Sequence, residues 1–277
     1  MKKILAVYDG TKYSEHTTRY ALEMAKADKA MILGVFIHDV RYSNLAYGYS
    51  WDMPYIDYSA IDEAQEDDKK KIALNIELFK NSCTKHGVKH KVHLDKGVPV
   101  QEILRESAFA DLLIIDSHIS FFSFREKNSS PFLKEILADA YCPVLIIPDK
   151  YHYFDNLLIA YDGSPSSVHA LKMFAYIFPE YTDLKVKIIS VNESHSNHLK
   201  EGKNAKDIIQ AHYNNAEYLV LSGDAESELI NYLKLNGDNS IIIMGAYGRN
   251  ALSRFFHQSI SNKILEELSI PLFIAHQ

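Results

Sequence analysis

The chain has 277 residues, 47% of them hydrophobic and 24% charged, which suits a folded protein long enough for two domains and argues against a disordered chain. Its formal net charge of −6 argues against a nucleic-acid backbone as the main partner. Cys83 and Cys142 have no motif spacing, so no disulfide framework is indicated, and no apolar run approaches a membrane span or a secretory signal. The expected compartment is the cytoplasm, with no membrane partner.

Taken in chain order, short runs rich in Ile, Leu and Val predict strands at 3–8, 31–38, 89–94, 111–115 and 144–148. Most are continuous rather than alternating, as expected of strands buried on both faces. Ile72, Ile76, Phe79 and Cys83 mark one face of a helix before the third run. Lys69-Lys70-Lys71, following Glu66-Asp67-Asp68, suits the solvated side of that helix. Ahead of it, 42–58 crowds Tyr42, Tyr47, Tyr49, Trp51, Tyr55 and Tyr58, a composition that serves an interface or loop core more readily than stacking on a base. A second series of runs follows at 157–161, 184–191, 217–222, 240–244 and 271–275. Between them Val168, Leu171, Ala175 and Phe178 share one helical face, and Ile260, Ile264 and Leu268 share another.

The two series are copies of one pattern. Residues 3–11 read Lys-Ile-Leu-Ala-Val-Tyr-Asp-Gly-Thr, and 156–164 read Asn-Leu-Leu-Ile-Ala-Tyr-Asp-Gly-Ser. The ends match too, Cys142-Pro143-Val144-Leu145-Ile146-Ile147 against Ile270-Pro271-Leu272-Phe273-Ile274-Ala275. The first copy is the longer, with the excess expected in 41–70. Strands separated by helices imply right-handed crossovers and a parallel sheet covered on both sides. The expected fold is therefore α/β, two tandem five-stranded parallel-sheet domains of Rossmann-like type spanning 1–149 and 154–277. Their apolar last strands need covering, which predicts a pseudo-dimer joined through Val144–Ile147 and Leu272–Ala275.

In such sheets ligands bind beyond the carboxyl ends of the strands, where the winding direction reverses. The fourth strand of the second copy ends there as Gly245-Ala246-Tyr247-Gly248, and after nine more residues come Gln258-Ser259 at the start of the last helix. Glycines permit tight turns and close approach to an anion, and the amides of a helix start suit a phosphate. Asp162, ending the first strand beside Gly163, is placed to accept hydrogen bonds from a base or sugar.

This pattern resembles the universal stress protein family, whose loop after the fourth strand runs Gly, two residues, Gly, nine residues, Gly, Ser/Thr, with an aspartate ending the first strand. The matching positions are Asp162, Gly245, Gly248 and Ser259, and the whole chain looks like the tandem form. The resemblance implies a stress-response or regulatory module that binds ATP, ADP or AMP, a triphosphate bringing Mg with it. Asp162 and the backbone around Val191 would hold adenosine; Gly245, Gly248 and Ser259 would hold ribose and phosphates. Gln258 stands where the family has its third glycine, so its bulk is expected to disfavour a terminal phosphate and make AMP or ADP the better fit.

The first copy departs further. It reads Asp116-Ser117-His118-Ile119 where the glycines should be, then Ser129-Ser130, and a carboxylate repels a phosphate by ~1 kcal/mol at about 4 Å even in water. Asp9 and Gly10 persist. The first copy is expected to be a structural partner with an altered site, and binding is assigned to the second. His86, His90, His93, His195 and His198 invite a metal, but His90 and His93 fall on opposite faces of a strand. Arg249 and Arg254 flank the loop and can meet phosphates or carboxylates equally well. No Walker loop and no set of nucleophile, base and orienter occurs at motif spacing, so at most slow ATP hydrolysis is expected. The alternative function is a scaffold that binds other proteins, its nucleotide sites decayed. The arrangement leaves room for a homodimer as well as the pseudo-dimer within the chain.

Overall fold

A computed structural model describes residues 2–39, 58–119, 131–192, 198–246, 263–264 and 268–275. Each half begins with an apolar strand, β1 (Lys3–Asp9) or β6 (Asn156–Ala160), followed by a helix capped by a serine. Ser14 and Ser164 each accept the backbone N–H three residues on, from Thr17 and Ser167, and so start α1 (Glu15–Asp28) and α5 (Pro165–Ile177). The first half continues with β2 (Met31–Asp39), α2 (Tyr58–Lys85), β3 (His90–Gly97), α3 (Pro99–Ser107), β4 (Leu112–Asp116), α4 (Pro131–Asp139) and β5 (Val144–Ile147). After α5 and a short 3-10 turn at Pro179–Tyr181, the second continues with β7 (Lys185–Asn192), α6 (Gly202–His212), β8 (Ala216–Ser222), α7 (Ala225–Asn236), β9 (Ser240–Gly245) and β10 (Leu272–Ala275). All ten predicted runs are strands.

The two five-stranded sets do not form separate sheets. They fuse into one ten-stranded sheet of order β3-β2-β1-β4-β5-β10-β9-β6-β7-β8. Within each half every pairing is parallel; at the join β5 and β10 run antiparallel, with Phe273 opposite Leu145 and Ile274 opposite Val144. The predicted contact between last strands is therefore a backbone ladder that removes two apolar edges at once. It also has a geometrical consequence: the carboxyl ends of the two halves' strands point to opposite edges of the sheet.

Helices cover both faces. On one, Tyr20 and Ala25 of α1, Phe79 and Cys83 of α2, Phe174 of α5 and Ile209 of α6 are buried against Ile4, Tyr8, Leu157 and Ile243. On the other, Ile103 of α3, Ile136 of α4 and Leu229 of α7 pack with Leu5, Val7, Leu158 and Met244, and Ile264 joins them. The outer strands differ from the sequence expectation. Exposed and partly covered residues alternate along much of β3, an edge strand whose successive side chains point to opposite faces of the sheet. The expected excess of the first half in 41–70 is partly helix, since α2 has 28 residues against 11 in α6; residues 40–57, with most of the aromatic stretch, lie outside the described residues.

Residues between the halves are tied down on the α1 side of the sheet. His152 donates its N–H to the Tyr20 hydroxyl at 3.0 Å, and that hydroxyl lies 3.1 Å from the His152 carbonyl. Tyr151 bonds Glu23 and lies under the Arg19 guanidinium, 3.8 Å from the ring centre. Both cysteines are free and buried, and burial pushes each thiol up to about 12. Among the described residues no helix is long and apolar enough to cross a membrane.

Candidate functional site

At the carboxyl edge of the second half, β6 stops pairing with β7 at Ala160, opposite Ile189. Tyr161 still donates its N–H to the Ile189 carbonyl at 2.8 Å, and the chain then turns away. Asp162, 7% exposed, accepts the Ser164 N–H at 2.9 Å, and Gly163 takes φ +80°, which a side chain would strain. In a parallel ladder alternate residues turn their backbone groups to the same side. Because Ile189 faces β6, Val191 does too, whereas Asn192 faces β8 and accepts from Gly223 at 3.2 Å. Beyond the end of β6 no backbone partner meets Val191 among the described residues. Its side chain is core, 3% exposed; its main chain is what the crevice offers.

Gly245 closes the other side. A Cβ there would lie 2.4 Å from the Ser166 carbonyl carbon and 2.6 Å from the Ser167 nitrogen, so the glycine lets β9 run against the first turn of α5. The next residue, Ala246, donates to the Ala275 carbonyl at 2.9 Å. The structure thus brings Asp162, Val191 and Gly245 to one edge, around the start of α5. Gly248, Gln258 and Ser259, together with Arg249 and Arg254, lie outside the described residues.

Three residues that sequence reasoning missed shape this edge. Tyr161 donates its hydroxyl to the Lys200 carbonyl at 3.2 Å, Asn192 donates Nδ2 to the His198 carbonyl at 2.8 Å, and Lys200 lies over Gly163. Burial, with Glu201 and Asp162 near, holds the Tyr161 phenol above its usual range, so it remains a donor. The repeat of Tyr before Asp-Gly was visible in the sequence; its partner 39 residues on was not.

The first half repeats the turn and then seals it. Asp9 accepts both the N–H and the hydroxyl of Thr11 at 2.9 Å, but β1 stays paired with β2 through Tyr8–Phe36 and Asp9–Ile37. Gly10 donates to the Ile37 carbonyl at 2.9 Å, the group that corresponds to the Val191 carbonyl. Buried Asn75 of α2 donates to the Gly10 carbonyl at 2.9 Å. Asp116 pairs with Ile147 as Gly245 pairs with Ala275, which makes the two positions equivalent. Its carboxylate accepts from the Ser14 hydroxyl at 3.0 Å and from the His118 N–H at 2.8 Å, at the start of α1, where negative charge is favoured. Burial raises the Asp9 carboxyl above its ordinary range, against the lowering effect of Thr11 and Lys12. The histidines of β3 are used separately: His90 lies 3.1 Å from the Val88 carbonyl and His93 3.0 Å from Glu106.

The family model described as the universal stress protein family matches residues 1–148. The chain belongs to the universal stress protein family. Its full length resembles a universal stress protein from Archaeoglobus fulgidus DSM 4304, with a TM-score of 0.71 at 18% identity over 99% of this chain and 98% of that one. A functionally unknown protein from Pseudomonas aeruginosa PAO1 gives 0.62 at 14% identity, covering 100% and 92%. At these identities the likeness is one of fold. No curated protein matches the chain. The tandem universal stress protein architecture inferred from the duplication thus extends over both halves.

Proposed function

We propose that this universal stress protein is a stress-response or regulatory module that binds an adenine nucleotide at the carboxyl edge of its second half. The observation that carries this reading is the main chain of Val191, which has no backbone partner among the described residues beyond the end of β6 and lies beside the buried Asp162. A base edge needs an acceptor and a donor at fixed spacing, and a strand's C=O and N–H supply both without side-chain entropy. Gly245 admits close approach at the start of α5, while Gly248 and Ser259 are assigned to ribose and phosphate by the family pattern. Gln258 at the third glycine makes AMP or ADP the better fit than ATP with Mg, so Gln258→Gly should tighten ATP more than AMP. The first half serves as a structural partner, because Asp116 puts a carboxylate, bonded to Ser14, where the second half has Gly245.

A second reading is favoured by one observation: Gly245 already has a packing reason to be glycine, against Ser166, and needs no ligand to explain it. The protein would then be a scaffold that binds protein partners without nucleotide. Mass spectrometry of small molecules released by denaturing the purified protein tests the choice. A co-purifying adenine nucleotide supports the first reading; no ligand, and no saturation on adding AMP, ADP or ATP, supports the second.

A further inference from the structure

We propose that Lys200 reads the phosphate of the ligand bound in the second half, an inference that rests on the nucleotide reading above. The segment holding it is fixed at both ends by side chains from the strands beneath: Asn192 bonds the His198 carbonyl and Tyr161 bonds the Lys200 carbonyl. Between these points Leu199 is buried in the core, 8% exposed. The backbone of Lys200 is therefore held at the carboxyl edge of β6 and β7, and the residue is half-buried.

Its stem crosses the Asp162-Gly163 turn. A Cβ on Gly163 would lie 2.8 Å from Lys200 Cβ and 3.4 Å from its Cδ, so the glycine is what allows the lysine to lie there. Gly163 is three residues from Ser166, where Gly245 makes its contact, a separation of at most about 11 Å along the chain. An ammonium on a four-carbon stem over Gly163 therefore reaches the space above the first turn of α5, between the Asp162 side and the Gly245 side. Two other lysines of this half pair with carboxylates, Lys187 with Glu217 and Lys263 with Glu226. Lys200 has no ion pair among the described residues, although Glu201 follows it in the chain and Asp162 stands next to the Gly163 that its stem crosses.

A compact cation with no ion pair among the described residues, held at the end of β6, suits a phosphate monoester on a nucleoside. In the first half the corresponding tyrosine is used differently: the Tyr8 hydroxyl bonds Thr18 Oγ1 inside the core at 2.8 Å.

The test is calorimetric titration of the full chain with adenosine and with AMP, comparing the parent protein with Lys200→Met and Lys200→Arg. Methionine keeps the stem over Gly163 and removes the charge. AMP should weaken about tenfold in Lys200→Met, as for loss of one charge-assisted hydrogen bond, with adenosine unchanged and Lys200→Arg close to the parent. Unchanged AMP affinity in Lys200→Met would overturn the role of Lys200 and leave the nucleotide reading standing. An equal loss for adenosine and AMP would also overturn it, showing that the lysine merely holds the segment in place. If the parent binds neither compound, the nucleotide reading and the role of Lys200 fall together.

Discussion

The two carboxyl edges of this molecule began as one design and differ in how far the first strand is zipped to its neighbour. In the first half β1 pairs through Asp9, and Gly10, Asn75 and Ser14 occupy the groups a ligand would use. Tyr8 stacks on Phe36, ring centres 4.7 Å apart and 12° from parallel, with Phe79 edge-on at 5.7 Å. In the second half pairing ends at Ala160, and the position that corresponds to Phe36 is Ser190. The Asp-Gly turn is common to both. What separates an open edge from a sealed one is the aromatic pair that extends the strand and the carboxylate at position 116. On the proposed reading, a duplicated site is thus closed from within, by ordinary core packing, with no change of fold.

Substitutions can break or sharpen this contrast. The largest effect is expected from Phe36→Ala, which removes a fully buried ring from the stack and should cost about 3–5 kcal/mol in urea unfolding. A loss below about 1 kcal/mol would show that the stack does not hold the first edge shut. Gly245→Ala comes next, since its new Cβ meets the α5 backbone rather than a flexible side chain; about 1–3 kcal/mol is expected from the same measurement. Its counterpart Asp116 already carries a side chain there. Ser14→Ala and Ser164→Ala should each cost about 1 kcal/mol as lost caps. The first should be the more damaging, because it also takes a donor from Asp116, and equal losses would remove that hydrogen bond from the account.

The smallest effect concerns pH. The Asp9 carboxyl is raised by burial, so its contribution favours folding below the ordinary carboxylate range and is lost as pH rises through its folded value. At neutral pH the buried charge is a cost. Asp9→Asn keeps an acceptor for Thr11 and should raise the melting temperature slightly at neutral pH, with the gain disappearing in acid. A gain that persists unchanged in acid would assign the effect to something other than the charge.

Much of the fold was legible because most strands are runs of Ile, Leu and Val and each copy repeats the Tyr-Asp-Gly turn. The fusion of the two sheets was half legible. Apolar last strands demand cover, but whether cover comes from a face or a ladder depends on backbone direction, which composition does not encode. Within the site, Asp162 and Gly245 carry local signals, a strand end and a glycine. The role of the backbone at Val191 depends on where a neighbouring strand stops, and the Tyr161–Lys200 bond links residues far apart in the chain. Neither leaves a mark in a short window of sequence.

The central claim, that one edge is open to a nucleotide and the other sealed, is tested most directly by the stoichiometry of AMP binding to the full chain in a calorimetric titration. The account predicts one AMP per chain, with Gly248→Asp weakening it and Asp116→Ala leaving the count at one. Two equivalent sites, or a single site that survives Gly248→Asp unchanged, would contradict it.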